Sequence, residues 1–166
     1  MEFRPLLALG CWLGCSPPPA PPSSDWDVAA TDAVKAEVDR MFKDIDAGNF
    51  EVMLGRMDTD ATAFDFDANN NPVSMHGIDE IRSYFGQYEQ GMKEGGMAMK
   101  SQVSRTDCRA TPVMGYCAVE FDQTVTQGGQ TMGPFKFRGT LVARKIGETW
   151  KWTHWHGSFR EPPPTS

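Results

Sequence analysis

After the N-terminal stretch of this 166-residue chain there is no apolar run of about 20 residues, so no helical bilayer span is expected. Basic charge is also scarce. The 16 Lys and Arg against 22 Asp and Glu leave a formal net charge of −6, and the basic residues are scattered rather than clustered. That excludes a nucleic-acid partner, whose binding depends on neutralising phosphates with basic groups. Histidine is limited to three residues and cysteine to four, and no internal repeat is visible. What is present is ordinary for a globular protein: 40% apolar and 23% charged residues, which excludes wholesale disorder. The length suits one domain and is too short for two.

The first residues read MEFRPLLALGCWLGC. A basic residue (Arg4), an apolar stretch over 5–13 and then Gly14-Cys15 have the form of a secretion signal. The small residue directly before a cysteine resembles the lipobox of bacterial lipoproteins, which implies that Cys15 is the acylated new N-terminus; a plain secretion signal is the alternative. Residues 16–27 begin with a Ser/Pro-rich run suited to an extended tether. The expected organisation is a signal peptide over 1–15, the tether over 16–27, a folded domain over 28–160 and a flexible tail over 161–166. The expected location is the bacterial cell envelope, lipid-anchored at the periplasmic face or the cell surface. Cleavage and acylation would leave Cys108 and Cys117 as an even pair in an oxidising compartment. They fall at facing positions of a hairpin, so a cross-strand disulfide is expected, with two buried thiols as the alternative.

Val34, Val38, Met41 and Ile45 share one helix face within 29–47. Gly48 stops that helix, and Asn49 opens a short second one to about residue 57. A strand over 61–67 is expected to bury Phe64 and Phe66 and to leave Asp65 and Asp67 in solvent. A brief strand over 73–76 follows, then a third amphipathic helix carrying Ile78, Ile81, Tyr84 and Tyr88, which fades at Gly95-Gly96. From Met97 the period becomes two, giving four antiparallel strands with turns at Gly128-Gly129 and Gly147-Glu148. Helices followed by such a run indicate an α+β fold with the helices on one sheet face.

The last strand, TWKWTHWHGS, is the most informative segment. Strict alternation puts Trp150, Trp152, His154, His156 and Ser158 on one side and Lys151, Thr153, Trp155 and Gly157 on the other. The lysine side is expected to be wet, leaving the histidines in an apolar cup. Together with DAGNFEVMLGRMDTDATAFDFD and VSMHGIDEIRSYF, the closing WKWTHWHGS resembles the SnoaL-like branch of the nuclear-transport-factor-2-like superfamily. The matching residues are Gly77, Ile78, Ile81 and Phe85 in the middle element and Trp150, Trp152, His154, His156 and Ser158 at the end. The resemblance implies a cone-shaped fold, a curved and mainly antiparallel sheet wrapped over N-terminal helices, with a conical pocket and often a homodimer. It fixes function poorly, because relatives include cyclases, isomerases, dehydratases and scaffold domains.

The expected ligand pocket is formed by Trp150, Trp152, His154, His156, Phe64, Phe137 and Tyr84, with His154 and His156 the candidate acid–base pair. A metal site would need three or four converging ligands, and the sequence supplies only His154 and His156, with His76 or Asp65 at a distance. The alternate Asp65, Asp67, Asn69 and Asn71 fail as a calcium loop, since Asn70 stands at the required Gly and His76 at the required Glu. No metal or cofactor is therefore expected. The leading expectation is an envelope-anchored domain binding a small apolar or amphipathic molecule, with no established catalysis. The alternatives are an isomerase, cyclase or dehydratase using a pocket histidine as base, and a non-catalytic dimerising assembly module.

Overall fold

The computed structural model describes residues 26–67 and 71–161. Cys15, the signal peptide, most of the tether and the tail beyond 161 lie outside the described residues. The order is α1 (Val28–Asp46), α2 (Phe50–Leu54), β1 (Met57–Phe66), β2 (Pro72–His76), α3 (Ile78–Gly95), β3 (Ala98–Ala110), β4 (Met114–Gln127), β5 (Gln130–Ile146) and β6 (Thr149–Phe159). The tether assignment is corrected at its end, because residues 26 and 27 already belong to the fold. The Asp27 amide donates to the Ala110 carbonyl at 2.8 Å, and its carboxylate accepts from the Ala30 amide at 2.7 Å as the α1 N-cap. Trp26 meets the Tyr116 ring edge-on at 5.9 Å.

One six-stranded sheet runs β2-β1-β6-β5-β4-β3. All neighbours are antiparallel except β1 and β6, which are parallel. Parallel neighbours need a long crossover, and the whole β2–β5 segment supplies it. α1 lies across β3 and β4, and α3 lies against β1. The core fills the space between: Val34, Val38, Met41 and Phe42 of α1 face the sheet, and the Phe42 ring meets Phe121 at 4.8 Å. Phe50 of α2 stacks on Phe85 of α3 at 5.6 Å. Two carboxylates join elements of the fold, Asp46 helix to sheet and Asp58 strand to strand. Asp46, at the end of α1, receives the Ser101 amide on both oxygens at 2.9 and 3.0 Å. Asp58 is buried and is held by Arg144.

Cys108 and Cys117 are directly opposed in the β3–β4 ladder with Cα atoms 4.1 Å apart, and they form a disulfide. The separation is that of a close, non-hydrogen-bonded antiparallel pair.

Candidate functional site

A cavity of about 710 Å³ opens between the concave sheet face and the helices. That size suits a small molecule. Its wall is mostly apolar: Phe42 from α1, Phe85 from α3, Phe121 from β4, Phe137 from β5 and Trp152 from β6. Met41, Met53, Met57, Met97, Met99 and Met132 add unbranched side chains that adapt to irregular shapes. Phe137 stacks on Phe121 at 5.3 Å and on Phe159 at 4.7 Å, forming an aromatic floor.

Of the seven expected pocket residues, Trp152, Phe137 and Tyr84 line this cavity. Trp150 is buried in the core and does not reach it. The orientation expected for His154, His156 and Phe64 is corrected, since these residues occupy the opposite face of the sheet. There the Phe64 ring meets His154 at 5.5 Å, His156 at 6.3 Å and His76 at 6.4 Å, bringing all three histidines around one phenyl ring. His154 Nδ1 shares a hydrogen bond with the Thr62 hydroxyl at 2.8 Å. Burial and then the neighbouring His156 hold its pKa below the ordinary value. Neither imidazole can act on a molecule in the cavity.

The physical reason is a β-bulge. In the β5–β6 ladder His154 pairs with Val142 and Trp152 with Ala143, so Thr153 is an extra residue. One inserted residue reverses which side chains face inward. Trp150 and Trp152 point in before it, and Trp155 and Phe159 point in after it. Trp155, expected in solvent, is therefore a cavity residue. Ser158 is on the outer face, where its hydroxyl accepts from Arg138 Nε at 3.1 Å.

Strand β1 also has the opposite phase from the one expected. Ala61 and Ala63 are fully buried, while Phe64 is 37% exposed. The small alanines face the helices and allow close approach, so packing set the phase against the larger apolar residue. Asp65 follows Ala63 inward and places a carboxylate on the cavity wall. Its Oδ2 accepts from Trp155 Nε1 at 2.9 Å and its Oδ1 from the Phe66 amide at 2.9 Å. Burial raises its pKa above the ordinary value, and the two N–H donors and the charge of His156 offset only part of that.

Across from Asp65, the Tyr84 hydroxyl donates to the Phe66 carbonyl at 2.5 Å and lies 3.2 Å from the Tyr88 hydroxyl. Burial, followed by the Asp65 charge, holds the Tyr84 phenol far above its usual range, so it is a neutral donor and acceptor. Asp67, at the same rim, accepts from the Asn71 amide at 2.9 Å and its side chain at 3.1 Å. Two glycines give Trp155 its place. A Cβ on Gly139 would sit 2.3 Å from the indole, and one on Gly157 would sit 3.2 Å from both the indole and Asp65. The indole thus lies flat on bare backbone with its N–H aimed at the carboxylate. Sequence reasoning missed Asp65 and Trp155; the opposed glycines of β5 and β6 were the available sign that a large side chain must cross them.

Among the described residues no group of three His, Cys, Asp or Glu could hold a metal ion, and no helix is long and apolar enough to cross a membrane.

The chain is similar to several solved structures of low identity. A Pseudomonas putida protein of unknown function, described as NTF2-like, aligns with a TM-score of 0.66 at 16% identity, covering 83% of this chain and 99% of its own. A Novosphingobium aromaticivorans protein provisionally described as an aromatic ring hydroxylase aligns at 0.67 and 12% identity, covering 84% and 95%. A second protein from that organism, provisionally described as a scytalone dehydratase, aligns at 0.62 and 9% identity, covering 78% and 83%. At such identities these likenesses show the shared NTF2-like fold. No curated protein matches the chain. The SnoaL-like domain family matches residues 34–162, a span that contains the sheet, α3 and every cavity residue named above, and the chain belongs to that family.

Proposed function

We propose that this protein binds a small apolar or amphipathic molecule in the cavity, with the Asp65 carboxyl as the polar anchor. One observation carries the reading: an aromatic and methionine-lined space of about 710 Å³ interrupted by Asp65, Tyr84 and Tyr88. Apolar walls supply most of the binding free energy, and a few fixed polar groups orient the ligand. Native mass spectrometry of protein taken from its own cells should reveal a bound small molecule. Val125→Trp, which fills the cavity, should remove it. Failure to find any bound molecule, with no thermal shift across a lipid, steroid and aromatic panel, would reject the reading.

A second reading is acid–base catalysis of the isomerase, cyclase or dehydratase type. It moves from the histidines to Asp65, because a carboxyl at a cavity wall whose pKa burial raises is suited to exchange protons with a bound molecule. Asp65→Asn would then abolish turnover of a substrate whose binding survives. The same proposal includes a lipid anchor at Cys15, an envelope location and a homodimer. The Cys108–Cys117 bridge supports an oxidising compartment. The mass of the mature N-terminus tests the anchor, and sedimentation equilibrium tests the dimer.

A further inference from the structure

Several carboxylates of this fold are answered by arginine. Arg144 holds Asp58, Arg56 bridges Glu37 and Asp44, and Arg160 bridges Glu120 and Asp122. Asp65 differs. Both of its hydrogen-bond partners, the Phe66 amide and Trp155 Nε1, are donors without an acceptor, an arrangement suited to the ionised carboxylate. A protonated carboxyl would need an acceptor for its own O–H, and neither partner supplies one. Yet no Lys, Arg or His lines the cavity among the described residues, and His156 acts on Asp65 only at a distance, from the far side of the sheet. The other titratable groups facing Asp65 are Tyr84 and Tyr88 from α3 and Asp67 just past the end of its own strand, none of them a cation. The site has the donors for a carboxylate and lacks the counter-ion.

We infer that the ligand brings the missing charge: the cavity takes a hydrophobic organic cation, an aryl or alkyl ammonium, with its nitrogen at Asp65 and its apolar body along the aromatic floor. This rests on the binding reading above and narrows it to one ligand class. Tyr84, Tyr88, Phe66 and Trp155 line the same cavity as the carboxylate, and aromatic rings attract a cation. The same wall disfavours anions, since a ligand carboxylate would meet the Asp65 carboxylate and, among the described residues, no Lys, Arg or His lines the cavity to receive it. Burial raises the carboxyl's pKa in the empty cavity and a bound ammonium opposes that rise, so any proton still on Asp65 leaves to solvent as the carboxylate–ammonium pair forms.

The test is calorimetric titration of the wild-type protein with three probes on one ring frame, naphthylmethylammonium, naphthylmethanol and naphthoate. The expected order is ammonium tightest, by about tenfold or more over the alcohol, with naphthoate weakest. Repeating the ammonium titration in buffers of different ionisation enthalpy should show proton release, and its affinity should rise with pH until the free carboxyl is ionised. Asp65→Asn should erase the preference for the ammonium while leaving the alcohol bound. Equal or tighter binding of the alcohol or naphthoate to the wild-type protein, or proton uptake with the ammonium, overturns the inference and leaves the pocket reading standing. No binding by any of the three overturns the inference and counts against the pocket reading as well. The wild-type comparison decides the matter even if the variant fails to fold.

Discussion

Replacing Gly139 by alanine tests the construction of the site. Gly139 has ordinary strand backbone, so only the added methyl opposes the change. That methyl would stand 2.3 Å from Cη2 and 2.5 Å from Cζ3 of Trp155, where carbon atoms normally keep about 3.5–4.0 Å apart. The indole must retreat by more than about 1 Å, which draws Nε1 away from the carboxylate it reaches at 2.9 Å. Overpacking of this kind costs about 1–3 kcal/mol, and stripping a buried carboxyl of a donor costs about 1–3 kcal/mol more. The expected loss is about 2–6 kcal/mol, read from the urea midpoint at unchanged slope. The decisive control is Trp155→Phe, which deletes the three ring atoms nearest the new methyl. In that background Gly139→Ala should cost less than about 1 kcal/mol, since alanine also suits a strand better than glycine. The two changes should therefore couple by at least about 1 kcal/mol. An equal cost in both backgrounds would refute the claim that the bare backbone at Gly139 exists to seat the indole.

Replacing Cys108 and Cys117 together by alanine opens a loop of about ten residues and should lower stability by about 2.7 kcal/mol on the chain-entropy account, measured by urea unfolding of the oxidised wild type against the variant; a loss under about 1 kcal/mol would show that the paired strands already impose that order. His154→Ala and His156→Ala should leave affinity for any cavity ligand within about twofold, because both rings face away from it; a tenfold loss in either variant contradicts the assigned face. Asp65 and Asp58 should titrate in opposite senses. Burial raises Asp65 above the ordinary value of 3.8, so its contribution to stability is complete below that value and is lost as pH climbs through the folded value. For Asp58 burial pushes upward, but the Arg144 hydrogen bond and charge outweigh it, so its contribution is present above 3.8 and is lost as pH falls through the lowered value. Unfolding free energies of wild type minus Asp65→Asn should decline with rising pH, and those of wild type minus Asp58→Asn should increase; a reversed slope in either series refutes that assignment.

The element order could be read from the sequence because it depends on local periodicity. Val34, Val38 and Met41 recur on one helix face, and Gly139, Leu141 and Ala143 alternate inward on β5 as expected. The disulfide was readable for a related reason: strands joined by a tight turn fix their own register, and the two cysteines fall opposite each other. The site was less legible, because side-chain direction on a strand is a phase, and phase is set by distant partners. On β1 the sequence offers Phe64 and Phe66 against Ala61 and Ala63, and hydrophobicity alone favours burying the rings. The helices select the alanines instead. On β6 nothing local announces that Thr153 is unpaired; that follows only from how Trp152 and His154 pair with β5 and β1.

These two phase errors have a common consequence. With β1 and β6 read in the wrong phase, the concave face gains two imidazoles and loses its carboxylate. With both corrected, Asp65 and Trp155 arrive together, because β1 and β6 are parallel neighbours paired at Ala63 and Trp155. The bulge at Thr153 is thus what joins an aromatic wall to an acid: were Thr153 paired in the ladder in strict alternation, Trp155 would project to the Phe64 side and Asp65 would lose its side-chain donor. Deleting Thr153 would remove the bulge yet keep the present phase, since Trp152 and His154 already pair with the adjacent Ala143 and Val142, so Trp155 should stay inward and the imidazoles outward. The chemistry of this cavity is decided less by which residues the strand carries than by where the ladder takes in one residue too many.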